Sequence, residues 1–281
     1  MNPLWRAQIL AVIRLELKKT FLAKRGLWIY FLAFAPAALF LAHSLVEIRL
    51  RGANRESLGQ DTYVFAGVFQ FFFLRLAIFF GCLGIFMNLF RGEMLDKSLH
   101  FYLLAPVRRE VLLAGKYLAG LLAATVIFTS STALQIAALL LQFDSNVISR
   151  YLYQNHGIAQ ICAYIGIAVL ACVGYGSVFL AAGLLFRNPI IPAAFVLIWE
   201  AANPVLPSLL KKVSVIYYLK SLCPVQIPVD PGMPSLIALL VSNAQPISAY
   251  IAVFGLIVLS AAVLAASMML VRELEINYTT E

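Results

Sequence analysis

The chain has 281 residues, of which 62% are hydrophobic and only 12% charged, and its mean hydropathy is +0.90. Soluble domains carry roughly 25% charged residues, so a water-soluble globule is excluded: no core of this size hides that much apolar surface, and lipid must solvate it. The net charge of +8 does not point to nucleic acid, because the basic residues flank apolar runs instead of forming one patch, as membrane orientation requires.

Residues 4–25 read as a helix lying on the membrane surface. On a 3.6-residue wheel Ile9, Leu10, Ile13, Leu17 and Phe21 fall within about 120°, with Gln8, Arg14, Lys18 and Lys19 outside that sector. Val12, Leu15 and Leu22 interrupt the polar side and Arg6 the apolar one. An interfacial helix with basic residues near anionic headgroups fits this pattern; a basic leader that only sets topology is the other reading. No signal peptide is expected, because the apolar run behind the basic cluster has no small-residue cleavage site with a soluble domain beyond it.

A helix crosses a bilayer with about 20 apolar residues. Residues 27–46, 62–90, 117–143, 157–186 and 246–271 meet that length. A sixth stretch, 188–210, is interrupted by Glu200, Asn203, Pro204 and Pro207 and is read as a span that breaks near one end. The segment 209–245 carries Pro224, Pro228, Pro231 and Pro234 and is expected outside the membrane, with 235–245 too short to cross and suited to a re-entrant or interfacial helix. The expected fold is therefore an all-α integral membrane protein of six transmembrane helices, forming one domain over 1–281. On that topology thirteen Lys and Arg residues fall on one side and seven on the other, with Arg75 inside the membrane. The richer side is the cytoplasm, which places both termini there.

The loop after the second span, 93–110, is the most informative stretch. Asp96 or Ser98 caps a short helix, Pro106 marks its end, and Leu99, Tyr102 and Leu103 share one apolar face at i, i+3, i+4 spacing. Arg108 and Arg109 then hold the next span at the headgroups. A short, partly apolar helix at such a loop suits a groove on another protein.

The run Leu103-Leu104-Ala105-Pro106-Val107-Arg108-Arg109-Glu110, continuing to Gly115-Lys116-Tyr117, resembles the cytoplasmic loop of ABC-2-type permeases, the membrane subunits of ABC exporters. In that family a Glu precedes a short helix, followed by a Pro, a basic pair and a Gly-Lys-Tyr. This chain keeps each of these, with Ser98-Leu99-His100 where Thr-Leu-Glu is frequent. The resemblance implies a coupling helix whose docking residues are Glu93, Leu99, Tyr102, Leu103, Arg108 and Arg109. It implies an ATP-binding-cassette ATPase as partner, holding ATP and Mg, and a second permease copy or paralogue. It also implies the cytoplasmic (inner) membrane of a prokaryote. This chain has no phosphate loop of its own: at Gly115-Lys116 a Tyr follows where Ser or Thr is needed, and Glu110 stands where the first Gly belongs.

Arg75 near the middle of the second span and Glu200 in the fifth are the intramembrane charges, which are costly and face a protein interior or a water path. Two readings stand: an Arg75–Glu200 pair at a path or gate, or Glu200 reaching the headgroups while Arg75 takes backbone carbonyls. His43, His100 and His156 are scattered, and Cys82, Cys162, Cys172 and Cys223 form no C-x-x-C pair, so neither a metal site nor a catalytic set is indicated. Gly81-x-x-Gly84 and Gly174-Tyr-Gly176 suit close helix approach, and the aromatic run Phe69–Phe80 is expected to meet lipid or neighbouring helices. The function expected is a non-catalytic permease subunit for a hydrophobic or amphipathic substrate. A stand-alone secondary transporter or channel is the alternative, disfavoured because nearly all 13 Asp and Glu residues lie outside the spans.

Overall fold

The computed structural model describes residues 3–22, 26–51, 58–95, 107–186, 188–227 and 247–272. In chain order the helices are α1 (Pro3–Leu22), α2 (Leu27–Arg51), α3 (Gly59–Gly67), a π-helical stretch (Val68–Ile78), α4 (Phe79–Leu95), α5 (Arg109–Leu140), α6 (Ser145–Gln154), α7 (Gly157–Leu185), α8 (Ile190–Ala202), α9 (Ser208–Lys211), α10 (Val215–Leu222) and α11 (Ala249–Arg272). Five helical segments are long and apolar enough to cross a bilayer: Leu27–Leu50, Gly59–Phe90, Arg109–Leu140, Gly157–Leu185 and Ala249–Arg272. The chain is an all-α, multi-pass membrane protein.

The count of six spans is corrected to five among the described residues. Residues 188–210 do not make a continuous crossing helix. The α8 helix has 13 residues, about 20 Å at 1.5 Å per residue, against a hydrocarbon core of about 30 Å. A 3₁₀ turn at Asn203–Val205 follows, and Pro207 precedes the four residues of α9. Pro204 and Pro207 cannot donate to a helical ladder, and Asn203 Nδ2 instead donates to the Lys211 carbonyl at 3.1 Å, closing the turn. Apolar content alone read this stretch as a span; the interrupted backbone makes it a chain of short pieces.

The central helix is α5, which packs against α1, α2 and α7, while α4 and α11 pack on α7. The aromatic run forms the core more than it meets lipid. Phe69, Phe73 and Phe79 are buried, and Phe71 is exposed. Phe69 meets Tyr164 edge-on at 4.8 Å between centroids, Phe73 meets Phe128 at 6.0 Å, and Phe79 meets Phe179 at 5.0 Å. Close approach depends on glycine where a ring fills the space: a Cβ on Gly81 would strike the Phe128 ring, and one on Gly176 the Phe86 ring. The peripheral α2 and α11 turn Phe31, Leu39, Tyr250, Phe254 and Met269 outward.

Inside α2, Pro36 withdraws one amide donor. Close by, the Ala33 carbonyl accepts from Ser131 Oγ of α5 at 2.6 Å, a bond between the two helices. The second span is unusual in another way. Its middle eleven residues, which include Arg75, are wound with i→i+5 bonds, a rare geometry that is frequent at functional sites.

Candidate functional site: a charged cluster at one end of the bundle

Lys116 stands two turns into α5 with its side chain fully buried. Its Nζ donates to Glu16 Oε1 of α1 at 2.6 Å and to the Leu89 carbonyl of α4 at 2.7 Å, and lies 2.9 Å from Glu93 Oε2. It also sits 5.3 Å from the centre of the Phe90 ring. Lys19 Nζ closes the group from the α1 side, 3.1 Å from Glu93 Oε1. Two ammonium groups and two carboxylates thus join α1, α4 and α5. An ammonium this deep is tolerable only because carboxylate and carbonyl oxygens replace its hydration shell.

Local sequence explains the meeting. On α1 the packed face is Trp5, Ile9, Val12 and Glu16, at i, i+4, i+7, i+11 spacing. Gly115 lets that face approach: a Cβ there would press on the Val12 side chain. The apolar sector read from the wheel is therefore rotated from the face that packs, since Leu10 and Phe21 are exposed while Glu16 is buried. Burial pushes the Glu16 carboxyl above the usual carboxylate range, although Lys116 pulls it down.

The start of α5 is held on two sides. The Arg108 guanidinium lies 5.0 Å over the Trp5 ring of α1. Arg109 Nη1 donates to the Arg272 carbonyl at 2.8 Å, and Arg272 Nε donates to Glu110 Oε1 at 2.7 Å. A cation at the last carbonyls of α11 also suits that helix's dipole. The α1 helix, the end of α4, the start of α5 and the end of α11 therefore gather at one end of the bundle. Of the docking residues expected from sequence, Glu93, Arg108 and Arg109 are in this cluster, while Leu99, Tyr102 and Leu103 lie outside the described residues.

A comparison with protein-family models finds no match to this chain, and none of the curated proteins matches it. Among the described residues no group of three or more His, Cys, Asp or Glu side chains is placed to hold a metal ion.

The two charges expected inside the membrane lie elsewhere, Arg75 in the second span and Glu200 in the interrupted α8 stretch, which is not a crossing helix. Glu200 caps α10: its Oε1 accepts from the Val215 amide at 2.9 Å, and its Oε2 from the Ile216 amide and Ser214 Oγ, both at 2.8 Å. These satisfy amides that a helix start leaves without partners. Arg75 lies within electrostatic reach of Glu200 and Tyr175, and Lys220 of α10 within reach of Arg75.

Sequence reasoning missed Glu16 and Lys116. The signal for Glu16 was a carboxylate centred between Ile9 and Val12 on the wheel. For Lys116 it was an ammonium two turns inside an apolar run, set aside as part of a failed phosphate loop.

Proposed function

We propose that this chain is the membrane-embedded permease subunit of an ABC transporter. It moves a hydrophobic or amphipathic substrate with energy from ATP hydrolysed by a separate subunit. The observation that carries the reading is the charged cluster. Both feet of the segment 96–106 are fixed, Glu93 on one side and Arg108 and Arg109 on the other, and each is tied to a second helix. A loop anchored this firmly suits a docking element that must pass force into the bundle. Its sequence pattern, with Leu99, Tyr102 and Leu103 on one face, supplies the apolar patch a partner would cover. The partner is an ATP-binding-cassette ATPase, a second permease copy or paralogue completes the path, and the charged end faces the cytoplasm of a prokaryotic cell.

The test is capture of the ATPase by the purified permease, with substrate-stimulated ATP hydrolysis as the second signal. Replacing Leu99, Tyr102 and Leu103 together by Ala should abolish both, while Arg150→Ala, on exposed α6, leaves both intact. Aromatic anchors in small docking patches often carry about 2 kcal/mol or more, so Tyr102→Ala alone should weaken capture by at least tenfold. Intact capture and hydrolysis in the triple variant would defeat the coupling role, and transport by the chain alone in ATP-free vesicles would favour a secondary transporter or channel.

A further inference from the structure

The seam between α2 and α5 carries a polar stripe that the charged cluster does not use. It is made by Ser131 and Gln135 of α5, which stand one turn apart on one helix face, and by Gln142 in the turn just past the end of that helix. Ser44 of α2 meets it from the opposite side. All four side chains are buried, with Ser131, Gln135 and Ser44 fully enclosed and Gln142 1% exposed. The hydroxyls are matched: Ser131 Oγ donates to the Ala33 carbonyl at 2.6 Å, and Ser44 Oγ to the Ala138 carbonyl at 2.6 Å. Gln135 Nε2 donates to Ser131 Oγ at 3.1 Å. The amides are only partly matched. Gln135 Oε1, Gln142 Oε1 and Gln142 Nε2 are buried and have no hydrogen-bond partner within the protein.

Three orphaned amide atoms along one seam are costly in a bilayer, where lipid offers no alternative partner. They also constrain what can satisfy them. Gln142 needs an acceptor for its Nε2 as well as a donor for its Oε1. A bare cation would serve only the oxygens. A small neutral group that both donates and accepts serves all three, and water is the smallest. Seven residues at close to helical rise span about 10 Å, a gap that two or three waters at ordinary hydrogen-bond spacing bridge. The stripe is open-ended in sequence: Gln142 lies just past the end of α5, and half-buried Glu47 follows Ser44 by one turn on α2.

We propose that the α2–α5 seam holds a file of water that enters at the Gln142 end and reaches Gln135 inside the bundle. The file completes the hydrogen bonding of both amides. It hydrates the seam, so the two helices are joined there by exchangeable water as well as by packed side chains. The proposal holds whether or not the chain works with an ATPase.

Cysteine accessibility tests it. In full-length protein with Cys82, Cys162, Cys172 and Cys223 replaced by Ala, single cysteines are placed at Gln135, Gln142, Leu139 and Tyr153. Leu139 is the buried apolar control between the two amides, and Tyr153 the exposed one. A small, charged, water-soluble methanethiosulfonate applied to vesicles should label Gln142→Cys and then Gln135→Cys, each at least tenfold faster than Leu139→Cys. Labelling of both no faster than Leu139→Cys, with Tyr153→Cys reacting normally, overturns the proposal. A second measurement needs only the natural cysteines. If the amides were dry and unmatched, Gln135→Leu and Gln142→Leu would both raise the unfolding temperature in detergent. The water file predicts no rise in either, and a rise in both overturns it.

Discussion

Lys116 and Glu200 are both buried charges, yet they are neutralised in different ways. Lys116 is met by two carboxylates and a carbonyl from helices distant in sequence: Glu16 is 100 residues away and Leu89 is 27. Glu200 is met by one hydroxyl and two backbone amides only 14 to 16 residues ahead. The first arrangement ties three long elements together; the second folds one interrupted segment onto itself. Losing a partner should therefore disturb the bundle end as a whole in one case and a local turn in the other.

Substitutions at each place break the comparison in order of expected effect. Lys116→Ala removes the buried cation between Glu16 and Glu93 and leaves them only the half-exposed Lys19. It should cost about 3–5 kcal/mol, read as a large fall in unfolding temperature in detergent. Adding Glu16→Ala to it should recover part of that loss; a double variant as poor as the sum of the singles would show that the two groups do not interact. Glu200→Ala strips charge-assisted bonds from two amides of α10 and should cost about 2–3 kcal/mol. Hydrogen exchange should show the loss confined to 200–222, whereas Lys116→Ala raises exchange in α1, α4 and α5 together. Lys19→Ala is the mildest. Its side chain is half exposed, so solvent screens it and the cost stays below about 1 kcal/mol.

Acidity sharpens the contrast further. The Glu16 carboxyl titrates above its ordinary value of 4.5 in the folded protein, chiefly through burial. Folding therefore binds a proton there. Its contribution to stability is full below that ordinary value and is lost as pH rises through the folded value. Stability measured against pH should fall across that window in the natural protein, and Glu16→Gln should flatten the fall.

The spans were legible because hydropathy over about 20 residues needs no knowledge of partners. The failure at 188–210 has a local cause. Asn203, Pro204 and Pro207 were visible as interruptions, but the capping of α10 by Glu200 depends on where the chain turns back, which apolar content does not encode. Glu93, Arg108 and Arg109 were singled out by motif for docking; the structure places Glu93 beside Lys116, Arg108 over Trp5 and Arg109 at the end of α11. Glu16 and Lys116 were not, because a pairing across 100 residues leaves no periodic trace in either helix. The charge pattern around Glu16 matched a surface helix, and only the close approach permitted by Gly115 turned that face inward.

The π-helical winding of Val68–Ile78 also bears on how this span tolerates changes in length. A stretch with i→i+5 bonds holds more residues per turn than the α-helix around it. Removing one residue there moves the stretch towards α-helical winding and leaves the flanking faces near their present direction. Removing one from α4 instead turns everything beyond it by about 100° relative to α5. Glu93 would then swing away from Lys116, and the bundle end would lose a carboxylate. Lineages carrying this fold should accordingly gain and lose residues in the middle of the second span more readily than in the helix that follows.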